Sequence, residues 1–180
     1  MPRARPCWVF AWAVVAAGMD PSITAAALLE EEGRVRAAGT GIQPADLLGC
    51  WQLEQVWPKG KRQAAQFSGV LLRGLAAQLE IRAQDGELQL RNSVRLGGVE
   101  LFFEGPGALK GGRPLLQFQF LRMGLRVAGR KWWGRDLPAP APQRMPFFAL
   151  IQRDPSGWLA ARGRGGGLAQ WRLARQDGPS

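Results

Sequence analysis

Phe147-Phe-Ala-Leu-Ile-Gln-Arg-Asp-Pro-Ser-Gly-Trp158-Leu-Ala-Ala-Arg162-Gly-Arg164-Gly-Gly-Gly-Leu-Ala-Gln-Trp171-Arg-Leu173 is the stretch that decides the fold. Asp154-Pro155-Ser156-Gly157 is strong turn chemistry, with the Asp154 carboxylate placed to accept local backbone N–H groups, and the glycines from Gly163 to Gly167 let the chain reverse again. Three short strands joined by two tight turns make an antiparallel sheet. Trp158, Arg162 and Trp171 fall in or beside those turns and are expected to help close a small barrel with an apolar interior.

Upstream, four prolines in residues 137–146 mark an irregular connection, preceded by the most basic and aromatic cluster in the chain, Arg130-Lys131-Trp132-Trp133-Gly134-Arg135, which reads as a loop. Before it, alternation dominates. Leu116, Phe118 and Phe120 stand opposite Gln117 and Gln119 in a strand over 115–121, followed by a shorter strand over 125–128. Val99, Leu101 and Phe103 alternate with Glu100, Phe102 and Glu104 up to a loop at Gly105-Pro106-Gly107. Leu88, Leu90, Asn92, Val94 and Leu96 alternate with polar neighbours, and Asp85-Gly86 turns that strand back onto Leu79, Ile81 and Ala83. Residues 67–72 are a further apolar strand, and Trp51, Leu53 and Trp57 share one face of the first. Nine or ten short strands at regular spacing describe an antiparallel sandwich or a closed barrel, and the lack of alternating long helices disfavours a parallel α/β fold.

The N-terminal part is helical in pattern. Asp20 as N-cap and Pro21 at the first position open a helix that runs to about Gly39, with Ala25, Leu28, Leu29 and Val35 as its apolar stripe and Glu30–Arg34 and Glu32–Arg36 as pairs four apart. A short helical turn over 44–48 leads into the β-domain or plugs it. Residues 1–19 combine Arg3 and Arg5 with an apolar run over 7–19, the pattern of a signal-like segment; alternatively Met19 is the true start. Residues 20–43 thus form a helical segment, 44–174 the β-domain, and 175–180 a disordered tail.

Composition excludes some chemistry. No histidine occurs, which removes Ser-His-Asp and Cys-His machinery and imidazole metal ligands, and the two cysteines, Cys7 and Cys50, support neither a disulfide framework nor a zinc site. Cys50 reads as a buried small hydrophobe. No cofactor is expected. The net charge of +10 favours an anionic partner, either a lipid surface or nucleic acid.

Leu48-Gly49-Cys50-Trp51-Gln52-Leu53 at one end, and Trp158-Leu-Ala-Ala-Arg162-Gly163-Arg164-Gly165 at the other, resemble the plastid lipid-associated protein family, also called PAP/fibrillin, in its cyanobacterial form. The resemblance covers residues 44–174 and lies in motif order: a Gly-x-Trp strand near the start and an Arg-Gly turn between the last two strands. It implies a mainly β fold, a lipocalin-like antiparallel β-barrel preceded by an N-terminal helix, with Gly49, Trp51, Asp154, Trp158, Arg162 and Gly163 at its closure. It further implies thylakoid membranes or lipid globules (plastoglobules) as the setting, and carotenoids, prenylquinones or other lipids as ligands. The chain departs from the family where Gln152-Arg153-Asp154-Pro155 stands in place of a tyrosine and acidic residues, and where Trp158-Leu159 replaces the usual Leu-Arg, so ligand identity does not transfer.

The apolar barrel face expected to be filled, or to hold one small ligand, comprises Trp51, Leu53, Trp57, Leu79, Ile81, Leu88, Leu90, Phe118, Phe120 and Trp171. For Arg162 there are two expectations: a cation for a polar head at the barrel mouth, or a guanidinium stacked over Trp51 that bonds the chain ends. Arg130, Lys131, Trp132, Trp133 and Arg135 suit a membrane interface, where indoles sit at headgroup level and cations meet lipid phosphates, with Lys59, Lys61 and Arg62 adding to a basic rim. The same groups would serve single-stranded nucleic acid, making a basic nucleic-acid-binding barrel the alternative. Asp154 and Glu54 form no paired acid constellation, so the chain is expected not to be an enzyme. The implied localisation is peripheral to a thylakoid membrane, or cytoplasmic, with export only if residues 1–17 are a signal peptide.

Overall fold

A computed structural model describes residues 23–60, 76–112 and 114–174. The signal-like segment, Asp20 and Pro21, the strand expected over 67–72, Lys61, Arg62 and the tail over 175–180 lie outside the described residues. Among those described, ten strands follow one helix: α1 (Ala25–Ala38), β1 (Gly49–Trp57), β2 (Ala76–Gln84), β3 (Glu87–Leu96), β4 (Val99–Lys110), β5 (Leu115–Phe118), β6 (Arg122–Val127), β7 (Arg130–Asp136), β8 (Phe147–Asp154), β9 (Trp158–Gly163) and β10 (Leu168–Leu173). The sheet runs β3-β2-β1-β10-β9-β8-β5-β4, and a β3–β4 pairing closes it into an eight-stranded antiparallel barrel. The protein is mainly β, a lipocalin-like barrel with one N-terminal helix.

Two strands do not belong to the closed wall. The first half of β4 pairs with β6 and its last four residues with β5, so β6 and β7 continue the sheet sideways as a flap whose last strand, β7, is an edge. Gly105-Pro106-Gly107, expected as a loop, lies inside β4 at this change of partner. Both glycines are needed for close approach. A Cβ at Gly105 would run into the Gln119 carbonyl, and one at Gly107 into Leu90. Glycine and proline here mark a strand that shifts between neighbours without turning. The strand expected over 115–121 stops at Phe118, and the one over 125–128 extends back to Arg122.

Alternation places Leu79, Ile81, Leu88, Leu90, Leu116, Phe118, Leu150, Leu159, Ala161 and Trp171 in one core cluster inside the barrel. Trp51 and Leu47 have no exposure, and Leu47 sits in the 3-10 turn Pro44–Leu47, which plugs the end of the barrel where β1 begins. Burying both faces of β9 explains why Trp158, Leu159, Ala160 and Ala161 are all buried: odd positions face the barrel core and even ones face α1.

Trp57 departs from the expected interior set. The register between β1 and β10 slips between Leu53 and Gln55, leaving Glu54 as the extra residue of a bulge. One inserted residue sends every later side chain to the opposite face. Trp57 therefore joins Ala25, Leu28, Ile151, Trp158, Ala160 and Leu168 in a second cluster beneath α1, outside the barrel.

The helix itself starts at Ala25, with Thr24 as N-cap accepting from the Ala27 N–H at 3.2 Å. Ala25, Leu28 and Val35 are buried as expected, whereas Leu29 is exposed. Arg34 pairs with Glu31 at 2.6 Å and not with Glu30, while the Glu32–Arg36 pair is present at 3.4 Å.

Candidate functional site

Barrel closure is built from three local devices. Gly49 has φ +136°, a backbone conformation that residues with side chains rarely adopt, and a Cβ there would stand 2.6 Å from Leu173 Cδ1, displacing that side chain of β10. Two positions on, the Trp51 indole N–H donates to the Leu47 carbonyl at 2.8 Å, tying the plug to the first strand. Asp154 accepts from the Ser156 N–H at 2.8 Å, and the Ser156 hydroxyl and N–H hold its carboxyl below the usual range.

The arginine over Trp51 is Arg153, with its guanidinium 5.1 Å from the ring centroid and donating to the carbonyls of Asp46 and Asp154. Arg162, for which this place was an expectation, occupies another. Its Nε and Nη2 form a fork on Glu32 of α1 at 2.8 and 2.5 Å, and its Nη1 donates to the Gly166 carbonyl at 2.6 Å. Parity decides the exchange: Arg162 belongs to the outward-facing set of β9 with Trp158 and Ala160, under the helix. The fork from Arg162 lowers the Glu32 carboxyl against the opposing effect of burial, and Glu32 in turn raises Arg162. Arg162 is thus engaged as a clamp for α1 on the outer side of the barrel wall. Trp158 supports that same helix rather than the barrel mouth. Gly163 donates its N–H to the Gly167 carbonyl at 2.9 Å, making the glycine run a hairpin turn, and Arg164 ties that turn to the Gln143 carbonyl at 2.6 Å.

From the core, a succession of rings leads outward. Trp171, Phe148, Phe118, Phe120 and Phe103 follow one another with centroid spacings of 5.2, 5.1, 5.1 and 5.8 Å. The plugged end is packed by its own side chains, while Leu53, Phe120 and Phe148 toward the flap are only partly buried. Phe103 passes the succession to the inward face of the flap. There, register sets Val94, Leu101, Leu125 and Trp133 in one row across four strands, and Leu96, Val99, Val127 and Arg130 in the next.

This apolar face is open. Leu96 is 63% exposed, Trp133 45%, and Val99, Leu101 and Val127 are also exposed. Sequence alternation marks Leu96, Val99 and Leu101 as apolar positions without placing them in the barrel interior, and Trp133 is expected at a membrane interface. The cluster expected as a loop, Arg130 to Arg135, is strand β7. Trp132 is its bulge residue, unpaired between Lys131 opposite Arg126 and Trp133 opposite Leu125, and it is 74% exposed. Arg130 and Arg135 stand opposite Val127 and Met123 at the border of the apolar face. Lysine, arginine and a bulge on an open edge are the devices that discourage strand-to-strand pairing.

No group of three or more metal-ligating side chains occurs among the described residues. Cys50 is buried, with its sulfur 3.9 Å from Gln78 Oε1. Glu54 pairs with Arg172 at 3.2 Å. No helix among the described residues is long and apolar enough to cross a membrane. The fold and the site define a closed β-barrel that carries an exposed apolar, basic-edged flap. Compared with known proteins, the chain matches no family model and no curated sequence.

Proposed function

We propose that this chain is a non-enzymatic peripheral membrane protein that lays the inward face of its flap on an anionic bilayer and handles an apolar lipid or isoprenoid at the mouth of its barrel. The observation that carries this reading is the open apolar face spanning β3, β4, β6 and β7, joined to the barrel core by a succession of tilted and edge-on aromatic rings and bordered by Arg130 and Arg135. Contiguous apolar surface of this kind marks an interaction site. Indoles with neighbouring cations match the headgroup layer, where apolar rings bury while guanidinium and ammonium groups meet phosphate. Resemblance to the PAP/fibrillin family supports a carotenoid, prenylquinone or related lipid as the ligand and a photosynthetic membrane as the setting.

The test is co-sedimentation of the full chain with vesicles of phosphatidylglycerol and phosphatidylcholine. Wild type is expected to bind, and W132A/W133A to bind about tenfold or more weakly, since two exposed indoles lose their burial. Unchanged binding of the double variant would remove the flap from the mechanism. Steeply salt-dependent binding to single-stranded oligonucleotides, with none to vesicles, would replace the reading with the nucleic-acid alternative.

A further inference from the structure

The outward faces of β2, β3, β4 and β6 carry a cleft of about 720 Å³. Alternation puts it on the reverse of the apolar face, because Glu100, Phe102 and Glu104 point out wherever Val99, Leu101 and Phe103 point in. Five arginines line it (Arg82, Arg91, Arg95, Arg122 and Arg126) against four carboxylates (Glu80, Glu100, Glu104 and Asp136), a surplus of one positive charge.

The floor is preorganised. Arg91 lies 3.9 Å from the centroid of the Phe102 ring, and its Nη1 donates to Glu104 Oε2 at 3.1 Å. Its Nη2 is buried 3.3 Å from Glu100 Oε2, an ion-pair contact whose geometry makes no hydrogen bond among the described residues. Arg126 stands over the same ring at 5.2 Å. Buried Glu100 is shared by Arg91, Arg95 and Arg126 at 3.3, 3.6 and 3.6 Å. Glu100, together with Glu104 on Arg91, offsets two of these three guanidinium charges. The remaining positive potential acts at a partly buried floor, where charge is screened less than on an open surface.

We propose that this cleft binds a small soluble oxyanion, a phosphate or carboxylate group on a metabolite, with Arg126 in direct contact over the floor formed by Arg91, Phe102 and Glu100. Fixed planar guanidinium groups match the geometry of such groups, and the volume suits a metabolite-sized ligand. The site is independent of the membrane reading.

The experiment titrates the full chain with inorganic phosphate, and separately with acetate, against chloride at equal ionic strength, following backbone amide resonances. Saturable shifts are expected in β4 and β6 with phosphate or acetate and not with chloride, and the stronger of the two names the ligand group. R126Q is expected to weaken binding about tenfold. The Arg126 side chain makes no hydrogen bond among the described residues and the backbone pairing of β6 does not depend on it, so the fold should survive the change. E100Q is expected to tighten binding, because the internal competitor for the same arginines loses its charge. A wild type and E100Q that both show no saturable response overturn the proposal, as does binding that R126Q leaves unaltered.

Discussion

Replacing Glu32 by glutamine tests whether the helix is held to the barrel by its clamp with Arg162. Helix α1 offers few apolar residues to its site, chiefly Ala25, Leu28 and Val35, so the fork on Arg162 carries much of its attachment. Removing one partner of a fully buried ion pair costs about 3–5 kcal/mol. Arg162 is 24% exposed and retains its bond to the Gly166 carbonyl, which places E32Q nearer about 2–3 kcal/mol at neutral pH. Urea unfolding followed by tryptophan emission and far-ultraviolet dichroism measures this, because Trp158 and Trp57 lie beneath the helix. Glu32 also dictates the pH dependence. Its carboxyl is depressed in the folded protein, chiefly by the hydrogen bonds from Arg162, so its stabilisation is complete above the unfolded carboxyl value of about 4.3 and declines as pH falls toward the folded value. The gap between wild type and E32Q should therefore narrow below about pH 4.3. A combined Glu32→Leu and Arg162→Met exchange should recover most of the loss, since apolar replacement of a buried pair is near neutral. An E32Q protein within about 0.5 kcal/mol of wild type at pH 7 would refute the clamp.

Deleting Glu54 should turn Trp57 away from the helix cluster and cost about 3 kcal/mol or more, as for loss of a buried aromatic; thermal unfolding with unchanged stability would refute the bulge as the cause of its orientation. Gly105→Ala should destabilise by about 3 kcal/mol, since the clash is with the Gln119 backbone carbonyl, which cannot rotate aside; near-neutral denaturation would show that β4 has room there. Arg153→Ala should cost about 1–2 kcal/mol through loss of its ring contact and its bond to the Asp46 carbonyl, whereas no loss in urea titration would remove this residue from the closure.

Much of the barrel is legible in the residues. Alternation in 79–83 and 88–91, the Asp154–Gly157 turn and the glycine hairpin at 163–167 are local signals, and the structure bears them out. Gly49 and Trp51 open β1, where Gly49 lies against Leu173 of β10 and Trp51 bonds the Leu47 carbonyl. Long-range facts are less visible. Whether Trp57 faces in or out depends on a bulge whose signature, Glu54 held by Arg172 of β10, involves residues far apart in sequence. Arg162 is the expected cap for Trp51, and only the parity of β8, shifted by a bulge between Leu150 and Gln152 so that Arg153 stands opposite inward Leu159, puts Arg153 there in its place. The continuous apolar runs at 147–151 and 158–161 did contain the signal that both faces of those strands would be covered.

The sequence by itself determined a mainly β chain, its hairpins and the alternating apolar residues, because turn chemistry and side-chain period are local properties. Tertiary structure decided which apolar face is a core and which is a surface. Leu96, Val99 and Leu101 alternate as regularly as Leu88 and Leu90, yet β4 exchanges β5 for β6 at Gly105-Pro106-Gly107 and, with β3, carries the first set beyond the closed barrel, where no other strand among the described residues covers it. Periodicity tells which residues share a face; only the path of the neighbouring strands tells what lies against it.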